Sequence, residues 1–225
     1  MPICLPPGPP GRKFRLNMHG VIFSALLGYL LGSIPFGLLV ARGCGIDIRQ
    51  HGSGNIGATN VLRTLGKKWG VFVFALDALK GVAAVLLAER FFGDPASDAF
   101  VLTRVQLGIV AGLACVLGHN FPVWLKFKGG KGVATTAGVL IGLLPMAALV
   151  AFGTWVAVFY STRYVSVASI VAAVVIPVSV WLIEQQTNTL FWFSVVVAVL
   201  GIWRHRSNIQ RLMAGTESRF EKKQQ

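Results

Sequence analysis

The stretch G-V-I-F-S-A-L-L-G-Y-L-L-G-S-I-P-F-G-L-L-V-A, from Gly20 to Ala41, is 22 residues long and contains no charged side chain. A helix needs about 20 residues to cross the hydrocarbon core of a bilayer. The whole chain shares this bias, since 54% of its 225 residues are hydrophobic and only 13% are charged. With a mean hydropathy of +0.67, the composition excludes a disordered chain and argues against a water-soluble globule. The sequence predicts a protein that crosses a membrane several times.

Outward from that stretch, seven apolar segments can be marked, and the fourth and fifth are short. They run roughly over Gly20–Ala41, Val71–Ala88, Gln106–Trp124, Gly132–Leu144, Met146–Tyr160, Val165–Ile183 and Leu190–Trp203. Helices and closed barrels are the structures that satisfy the backbone in lipid, and no barrel-like alternation is visible. We therefore expect an all-α integral membrane protein with seven transmembrane helices, some short, and with cytoplasmic loops that carry the motifs. Pro145 separates the fourth and fifth segments, which could instead form one kinked helix.

Basic residues decide the predicted orientation. If the connection after the first span is cytoplasmic, the cytoplasmic segments hold fifteen of the 21 Lys and Arg residues. This is the bias typical of the inner side of a membrane, and it favours two separate helices at Pro145. The N-terminus is then outside and the C-terminus in the cytoplasm. The net charge of +13 indicates membrane topology and an anionic substrate, and no nucleic-acid partner, because the cations lie between apolar segments.

The ends of the chain differ from its centre. Residues 1–17 are rich in Pro and Gly, and we expect a disordered extension there, with natural translation starting at Met18. A single membrane domain over 18–220 and a flexible tail over 221–225 complete the predicted organisation. A signal peptide is disfavoured, because the apolar run is long and no cleavage site follows it. Cys4, Cys44 and Cys115 lack metal-site spacing, so we expect neither a metal nor a disulfide framework.

The first candidate binding segment is G-S-G-N-I-G-A-T-N-V-L-R, from Gly52 to Arg63. Glycines allow backbone N–H groups to approach an anion, and an arginine can form paired hydrogen bonds to phosphate. The residues predicted to contact substrate beside Arg63 are Ser53, Gly54, Asn55, Thr59 and Asn60. An ordinary Gly/Asn turn would explain one or two of these residues but hardly all of them.

The second segment is G-H-N-F-P-V-W-L-K-F-K-G-G-K-G-V-A-T-T, from Gly118 to Thr136. Lysines and glycines directly before a helix N-terminus predict an anion site, although the spacing is not that of a Walker A motif. The residues assigned to this site are His119, Lys128, Gly129, Gly130, Lys131 and Gly132. A basic interfacial loop that attracts anionic lipid is the alternative, and it leaves the glycines unexplained. His119 is equally compatible with an interfacial cap.

Weaker signals come from three other places. Ser166 and Ser169 share one helix face, where they could bind a ligand or pack helices. The tail R-H-R-S-N-I-Q-R-L-M-A-G-T-E-S-R-F, from Arg204 to Phe220, places His205 and Asn208 at helical spacing, although a basic interfacial helix would look similar. Glu217 could bind a hydroxyl group or pair with an arginine. Inside the second span, Asp77 and Lys80 could form a structural pair or a polar site.

Taken with Y-L-L-G-S-I-P-F-G from Tyr29 to Gly37, the three segments resemble the signature regions of the bacterial acyl-phosphate:glycerol-3-phosphate acyltransferase family. The resemblance runs from about Met18 to Phe220. It implies an enzyme of the bacterial inner membrane that transfers an acyl group from acyl phosphate to the 1-hydroxyl of sn-glycerol 3-phosphate. The products would be lysophosphatidic acid and phosphate, in the first step of phospholipid synthesis. We expect a monomer without cofactor or metal, surrounded by lipid and coupled functionally to an enzyme that makes acyl phosphate.

An acyl phosphate is already activated, so positioning and charge stabilisation can supply most of the catalysis. No Ser-His-Asp arrangement is convincing, and His119 is followed five residues later by Trp124 rather than by Asp. We expect Ser53, Arg63, Lys131 and His205 to be catalytic. Arg63, Lys131 and the backbone amides of Gly129–Gly132 would hold phosphate. The general base stays open between His119, His205 and a phosphate oxygen of the substrate.

Three other functions fit parts of the sequence. A transporter or channel for a phosphorylated anion would share the basic loops, but it usually predicts an internal repeat, which we do not find. A membrane-anchored scaffold with a basic tail leaves the segment from Gly52 to Arg63 unexplained. An enzyme of the same kind that uses another acyl donor is the nearest alternative.

Overall fold

The computed structural model describes residues 18–92, 104–185 and 188–220, and within these ranges the chain forms ten α-helices and two short 3-10 turns. The predicted extension over 1–17 and the predicted tail over 221–225 lie outside the described residues. In chain order the helices are α1 (Met18–Ser33), α2 (Phe36–Gly43), α3 (Ala58–Leu65), α4 (Lys67–Phe92), α5 (Arg104–Asn120), α6 (Val133–Leu143), α7 (Pro145–Thr162), α8 (Val165–Glu184), α9 (Thr189–Arg204) and α10 (Arg206–Met213). The 3-10 turns cover Ile48–Gln50 and Val123–Leu125.

Five helical segments are long and apolar enough to cross a membrane. They are Met18–Gly43, Lys67–Phe92, Arg104–Leu125, Pro145–Thr162 and Val165–Ile183. The other two predicted spans correspond to α6 and α9, which are apolar but shorter, with 11 and 16 residues. At 1.5 Å per residue, α6 covers about half of the hydrocarbon thickness. Large apolar side chains such as Leu149 and Phe152 point outwards with more than half of their surface exposed, as lipid-facing residues do.

Two prolines divide apolar segments in this fold. Leu144 leaves helical geometry (φ −143°, ψ 62°) and α7 starts at Pro145, where a missing N–H group costs nothing. The predicted separation of the fourth and fifth segments is therefore confirmed, and a single kinked helix is excluded. The first predicted span is also divided, because α1 ends at Ser33 and α2 begins at Phe36, after Pro35.

Glycines set the packing of α1 on α5. A Cβ atom added at Gly28 would lie 2.1 Å from the carbonyl oxygen of Ala111, and one added at Gly32 would lie 2.0 Å from that of Cys115. Such close backbone approach is typical of membrane helices that carry small residues at every fourth position. The residue numbers of the contacting positions increase in the same direction along both helices, so α1 and α5 run parallel.

The same arrangement joins α4 to α6. A Cβ atom at Gly138 would lie 1.9 Å from the carbonyl oxygen of Ala78, and Gly142 faces Val85 further along both helices. These two helices are also parallel. Lys80, near the middle of α4, contacts the end of α1 and the end of α5. The loops that leave α1 and α5 and the loops that enter α4 and α6 therefore gather at one end of the bundle.

This packing predicts different effects for the same substitution at two glycines. Gly28→Ala should destabilise the protein by about 1–3 kcal/mol, because the added methyl group collides with backbone that cannot move freely. Gly153→Ala, in the exposed part of α7 with no atom within 4 Å of the added carbon, should be neutral or stabilise by about 0.5–1 kcal/mol. Thermal unfolding in detergent measures both, and equal stability of the two variants would contradict the packing described here.

Candidate active site

A cavity of about 680 Å³ opens at the end of the bundle where these loops gather. Its wall includes thirteen of the residues that the sequence singled out, from segments far apart in the chain. They are Ser53, Asn55, Thr59, Asn60, Arg63, His119, Lys131, Gly132, Ser166, Ser169, His205, Asn208 and Glu217. The fold therefore brings all three sequence segments together. The other five predicted residues, Gly54, Lys80, Lys128, Gly129 and Gly130, do not belong to the wall.

Asn60 shapes the first segment from inside. Its Oδ1 accepts the N–H of Ser53 at 3.0 Å, and its Nδ2 donates to the carbonyl oxygens of Ile48, His51 and Asn55 at 2.9–3.2 Å. The side chain is 2% exposed, and the three carbonyl oxygens take up both hydrogens of its amide group. Asn60 thus positions the loop, which differs from the predicted direct contact with substrate.

The loop then leads into the N-terminus of α3. Oδ1 of Asn55 accepts the N–H of Gly57 at 2.8 Å, and the N–H of Gly54 donates to the carbonyl of His51, which explains why Gly54 does not reach the wall. Ala58 and Thr59 in the first turn of α3 line the cavity. The first N–H groups of a helix have no partner within it, so this turn offers donors to an anion.

In the second segment, the backbone amides predicted to bind phosphate have partners within the protein. The N–H groups of Gly129 and Gly130 donate to the carbonyl oxygens of Asn120 and His119, so they are not available to a ligand. A Cβ atom at Gly130 would lie 2.2 Å from Nε2 of His119, and glycine is needed for this close contact. The exposed Lys128 lies off the wall, which leaves Lys131 and Gly132 to face the cavity.

Arg204 makes contacts that the sequence did not predict. Its guanidinium donates to the carbonyl oxygen of Gly129 at 3.1 Å and to that of Gly130 at 2.6 and 3.1 Å. Arg204 and Gly130 are 74 residues apart in the sequence, and no local pattern connects them. Arg204 therefore fixes the loop that presents Lys131.

Lys131 is the cation best placed to bind an anion. Within the described part of the chain its ammonium group has no hydrogen bond or ion pair. Burial lowers its pKa to about 8, Glu217 opposes this shift, and Arg211, Arg63 and Arg204 add to it. A partly buried ammonium group beside further cations gains most from a negatively charged ligand.

Glu217 connects α8 to the tail. Its Oε1 accepts from Ser166 at 2.8 Å and from Asn208 at 2.6 Å, and its Oε2 accepts from Arg211 at 2.7 Å. Burial opposes ionisation, but these hydrogen bonds outweigh it and hold the pKa of Glu217 below its usual value. Of the two sequence interpretations, pairing with an arginine is the one the structure has.

Two hydrogen-bond acceptors remain on the same side of the cavity. Asn208 has its Oδ1 buried without a partner among the described residues. Nδ1 of His205 contacts the carbonyl oxygen of Gly201 at 2.8 Å, which fixes the proton on Nδ1 and leaves Nε2 as an acceptor. Burial lowers the pKa of His205 to about 4, so its ring is neutral at physiological pH.

The remaining predicted residues have structural contacts. Ser169 donates to the carbonyl of Val165 and accepts from the indole of Trp155, as a helix-packing serine does. Lys80 pairs with Asp77 at 2.8 Å, as in the structural interpretation, and Asp77 also lies in the cavity wall. Lys80 also contacts His119.

The tail covers one rim of the cavity. Arg63 donates to the carbonyl oxygen of Ser218 at 3.1 Å, and its guanidinium lies 4.7 Å from the ring centre of Phe220. Phe220 in turn donates its N–H to the carbonyl of Arg163 and packs against Phe159. No sequence pattern predicts these contacts of the tail.

The polar cavity continues into an apolar pocket of about 150 Å³ between α6, α7, α8 and α9. Both share Phe74, Lys131, Trp155 and His205 in their walls, and the deeper wall is formed by residues such as Ile176. The combined space suits a molecule with an anionic head and an apolar tail.

Comparison with known proteins gives one consistent result. The family model described as Glycerol-3-phosphate acyltransferase matches residues 22–215. Among curated proteins, the glycerol-3-phosphate acyltransferase of Agrobacterium fabrum is 49% identical over 201 residues, which cover 89% of this chain and 92% of the relative. The protein of the same description from Rhodopseudomonas palustris is 50% identical over 208 residues, covering 92% of this chain and all of the relative.

Solved structures agree with this comparison. The crystal structure of PlsY (YgiH), an integral membrane glycerol 3-phosphate acyltransferase, in its glycerol 3-phosphate form is 43% identical with a TM-score of 0.80, and the match covers 89% of this chain and 96% of the other. The lysophosphatidic acid form of PlsY has a TM-score of 0.78 at 42% identity, with 89% and 95% covered.

The contacts of Arg204 predict that Arg204→Gln loosens the second segment. Two carbonyl groups lose their donors, which costs about 1–3 kcal/mol, and the amides of residues 129–131 should exchange hydrogen faster. Hydrogen–deuterium exchange with mass spectrometry measures this. Arg206→Gln is the matched control, because Arg206 stacks on Trp203 at 4.5 Å and does not contact the loop. Unchanged exchange in Arg204→Gln would remove the assigned role.

The lowered pKa of Lys131 predicts pH-dependent anion binding. The ammonium is charged below pH 8 and loses its charge as the pH rises through about 8, so sulfate, whose own charge is constant in this range, should bind about tenfold more weakly at pH 9.5 than at pH 7. Lys131→Arg keeps its charge and should show no such decline. Calorimetric titration measures both, and the same decline in the arginine variant would contradict the assignment.

Proposed function

Because this chain belongs to the glycerol-3-phosphate acyltransferase family, and is therefore an acyltransferase of a membrane, we propose that it acylates glycerol 3-phosphate with acyl phosphate as the donor. The 1-hydroxyl of sn-glycerol 3-phosphate receives the acyl group, and the products are lysophosphatidic acid and phosphate. The observation that carries this proposal is the polar cavity around Lys131 that continues into an apolar pocket. Both the donor and the product combine a phosphate group with an acyl chain.

The reaction exchanges one acyl–oxygen bond for another. The 1-hydroxyl oxygen attacks the carbonyl carbon of the acyl phosphate, the bond from that carbon to the phosphate oxygen breaks, and the hydroxyl proton leaves with a base. Lys131, Arg63 and the first turn of α3 hold the phosphate and stabilise the charge that develops as it departs. Ser53 and Asn55 orient the head group, while the acyl chain occupies the apolar pocket.

The acceptor is held by His205 and Asn208. Oδ1 of Asn208 and Nε2 of His205 are free acceptors for hydroxyl groups, and Glu217 fixes the amide of Asn208 so that its oxygen is turned away from the carboxylate. With a pKa of about 4, His205 is a weak base, and Nδ1 of His119 is occupied by Lys80. A phosphate oxygen of the substrate is therefore the base in this proposal, and no acyl-enzyme is required.

The proposal includes the location of the enzyme. It places seven crossings in the bacterial inner membrane, with the N-terminus outside and the cavity at the cytoplasmic face, where an enzyme that produces acyl phosphate would deliver the donor. The parallel packing of α1 on α5 and of α4 on α6 supports an alternating path through the bilayer, and the basic residues of the connecting segments support the cytoplasmic side for the cavity. We propose that the chain acts as a monomer.

The donor distinguishes this proposal from related acyltransferases. Purified protein in proteoliposomes should form lysophosphatidic acid from glycerol 3-phosphate and palmitoyl phosphate, but not from palmitoyl-CoA, and mass spectrometry identifies the product. In Lys131→Ala and Arg63→Ala, kcat/KM should fall by about 10²–10³, the usual cost of losing one charge-stabilising group.

Lys67→Ala serves as the matched control, because Lys67 is exposed and lies outside the cavity wall. Thermal unfolding of each variant shows whether it is folded. Product formation from palmitoyl-CoA alone would overturn the donor assignment, and near-normal rates in both Lys131→Ala and Arg63→Ala would overturn the residue assignment.

A further inference from the structure

We infer that Lys80 is a positioning residue of this enzyme: it holds the two glycine-containing segments of the cavity in place relative to each other and decides which nitrogen of His119 carries a proton. The expected effect on turnover rests on the proposed function, whereas the effect on the protonation of His119 does not. It also differs from the sequence-based assignment of Lys80 to substrate binding.

Polar groups of the protein surround the ammonium group of Lys80. Its Nζ lies 2.8 Å from Oδ1 of Asp77, 2.9 Å from the carbonyl oxygens of Gly32 and Ile34, and 3.0 Å from Nδ1 of His119. An ammonium group has three hydrogens, which the carbonyl oxygens of Gly32 and Ile34 and Nδ1 of His119 accept. Asp77 is held by charge as an ion pair, and its Oδ1 accepts no hydrogen bond among the described residues. Since Lys80 is 4% exposed and absent from the cavity wall, it has no hydrogen to offer a substrate.

Two of these acceptors come from the break between α1 and α2. Pro35 has no N–H group, and the N–H of Phe36 donates to Ile34 instead of to Gly32, its partner in a regular helix. Lys80 supplies the donor that the carbonyl of Gly32 has lost. It thereby fixes the direction in which α2 leaves the bundle.

The direction of α2 sets the position of the first segment. Gly37 in α2 lies so close to the loop that a Cβ atom added there would be 1.8 Å from the carbonyl oxygen of Ile56. Ile56 directly precedes Gly57, the cap of α3. A shift of α2 would therefore move the first turn of α3, which lines the cavity.

Nδ1 of His119, which also contacts Lys80, belongs to the second segment. Because Lys80 donates to Nδ1 of His119, this nitrogen carries no proton and the hydrogen is on Nε2. That nitrogen lies against Gly130, and His119 lines the cavity. Oδ1 of Asp77 is also near, 3.5 Å from Nδ1, so without Lys80 the carboxylate would draw a proton onto Nδ1.

Two simpler roles for Lys80 make different predictions. If Lys80 only balanced the buried charge of Asp77, removing both charges together would restore the enzyme. If Lys80 bound the substrate phosphate, its loss would raise KM for glycerol 3-phosphate and leave the tautomer of His119 unchanged. If it positions His119 and the helix break, removal of both charges restores folding but not turnover.

The test compares the full-length protein with Lys80→Met and with the double variant Asp77→Asn/Lys80→Met. Nitrogen-15 NMR of histidine-labelled protein in detergent, assigned with His119→Gln, reports the protonation of each ring nitrogen without any need for activity. We expect an unprotonated Nδ1 in the native protein and a protonated Nδ1 in Lys80→Met. In the double variant we expect a near-native unfolding temperature with kcat at least tenfold lower.

Three results would overturn the inference: a protonated Nδ1 in the native protein, an unchanged tautomer in Lys80→Met, or a native kcat in the double variant. Absence of acyl transfer in the native protein would count against the proposed function alone, because the NMR result does not depend on it.

Discussion

Carbonyl groups that leave helical geometry in apolar surroundings must find a donor, because no water is available to them in a bilayer. Three polar side chains meet this need at three places near the cavity where the described backbone is irregular. Lys80 donates to Gly32 and Ile34 at the break between α1 and α2, Asn60 donates to the first loop, and Arg204 donates to Gly129 and Gly130. These contacts position the two glycine-containing segments of the cavity.

This division of labour separates groups that hold the backbone from groups that are free to bind. Asn60, Lys80 and Arg204 donate hydrogen bonds to backbone carbonyl groups. Lys131 has no hydrogen-bond or ion-pair partner among the described residues, and Asn208 keeps one free acceptor. The cations around Lys131 raise the local positive potential, and Glu217 limits it through Arg211. A negatively charged head group therefore meets the unpaired ammonium group of Lys131 in a frame held by hydrogen bonds, as electrostatic preorganisation requires.

Particular residues show how far sequence patterns reach. The separation at Pro145 follows from the missing N–H group of proline and was predictable, as was the gathering of the three motif segments from the positive-inside bias. The direct role predicted for the amides of Gly129 and Gly130 is wrong, because both N–H groups donate to the backbone of residues 119 and 120. Glycine at these positions reflects close packing against His119, and a sequence pattern cannot distinguish a glycine that opens space for a ligand from one that makes room for a neighbour.

The sequence by itself determined the membrane class, the helical segments and the residue types that bind phosphate, because hydropathy, charge and side-chain chemistry are local properties. Only the tertiary structure decided which polar groups face the cavity. Arg204 and Gly130 are 74 residues apart, and Arg63 and Ser218 are 155 apart, so their pairing depends on how the helices pack. A polar side chain binds the backbone or a ligand according to which groups lie within about 3 Å of it. These neighbours come together only when the chain folds.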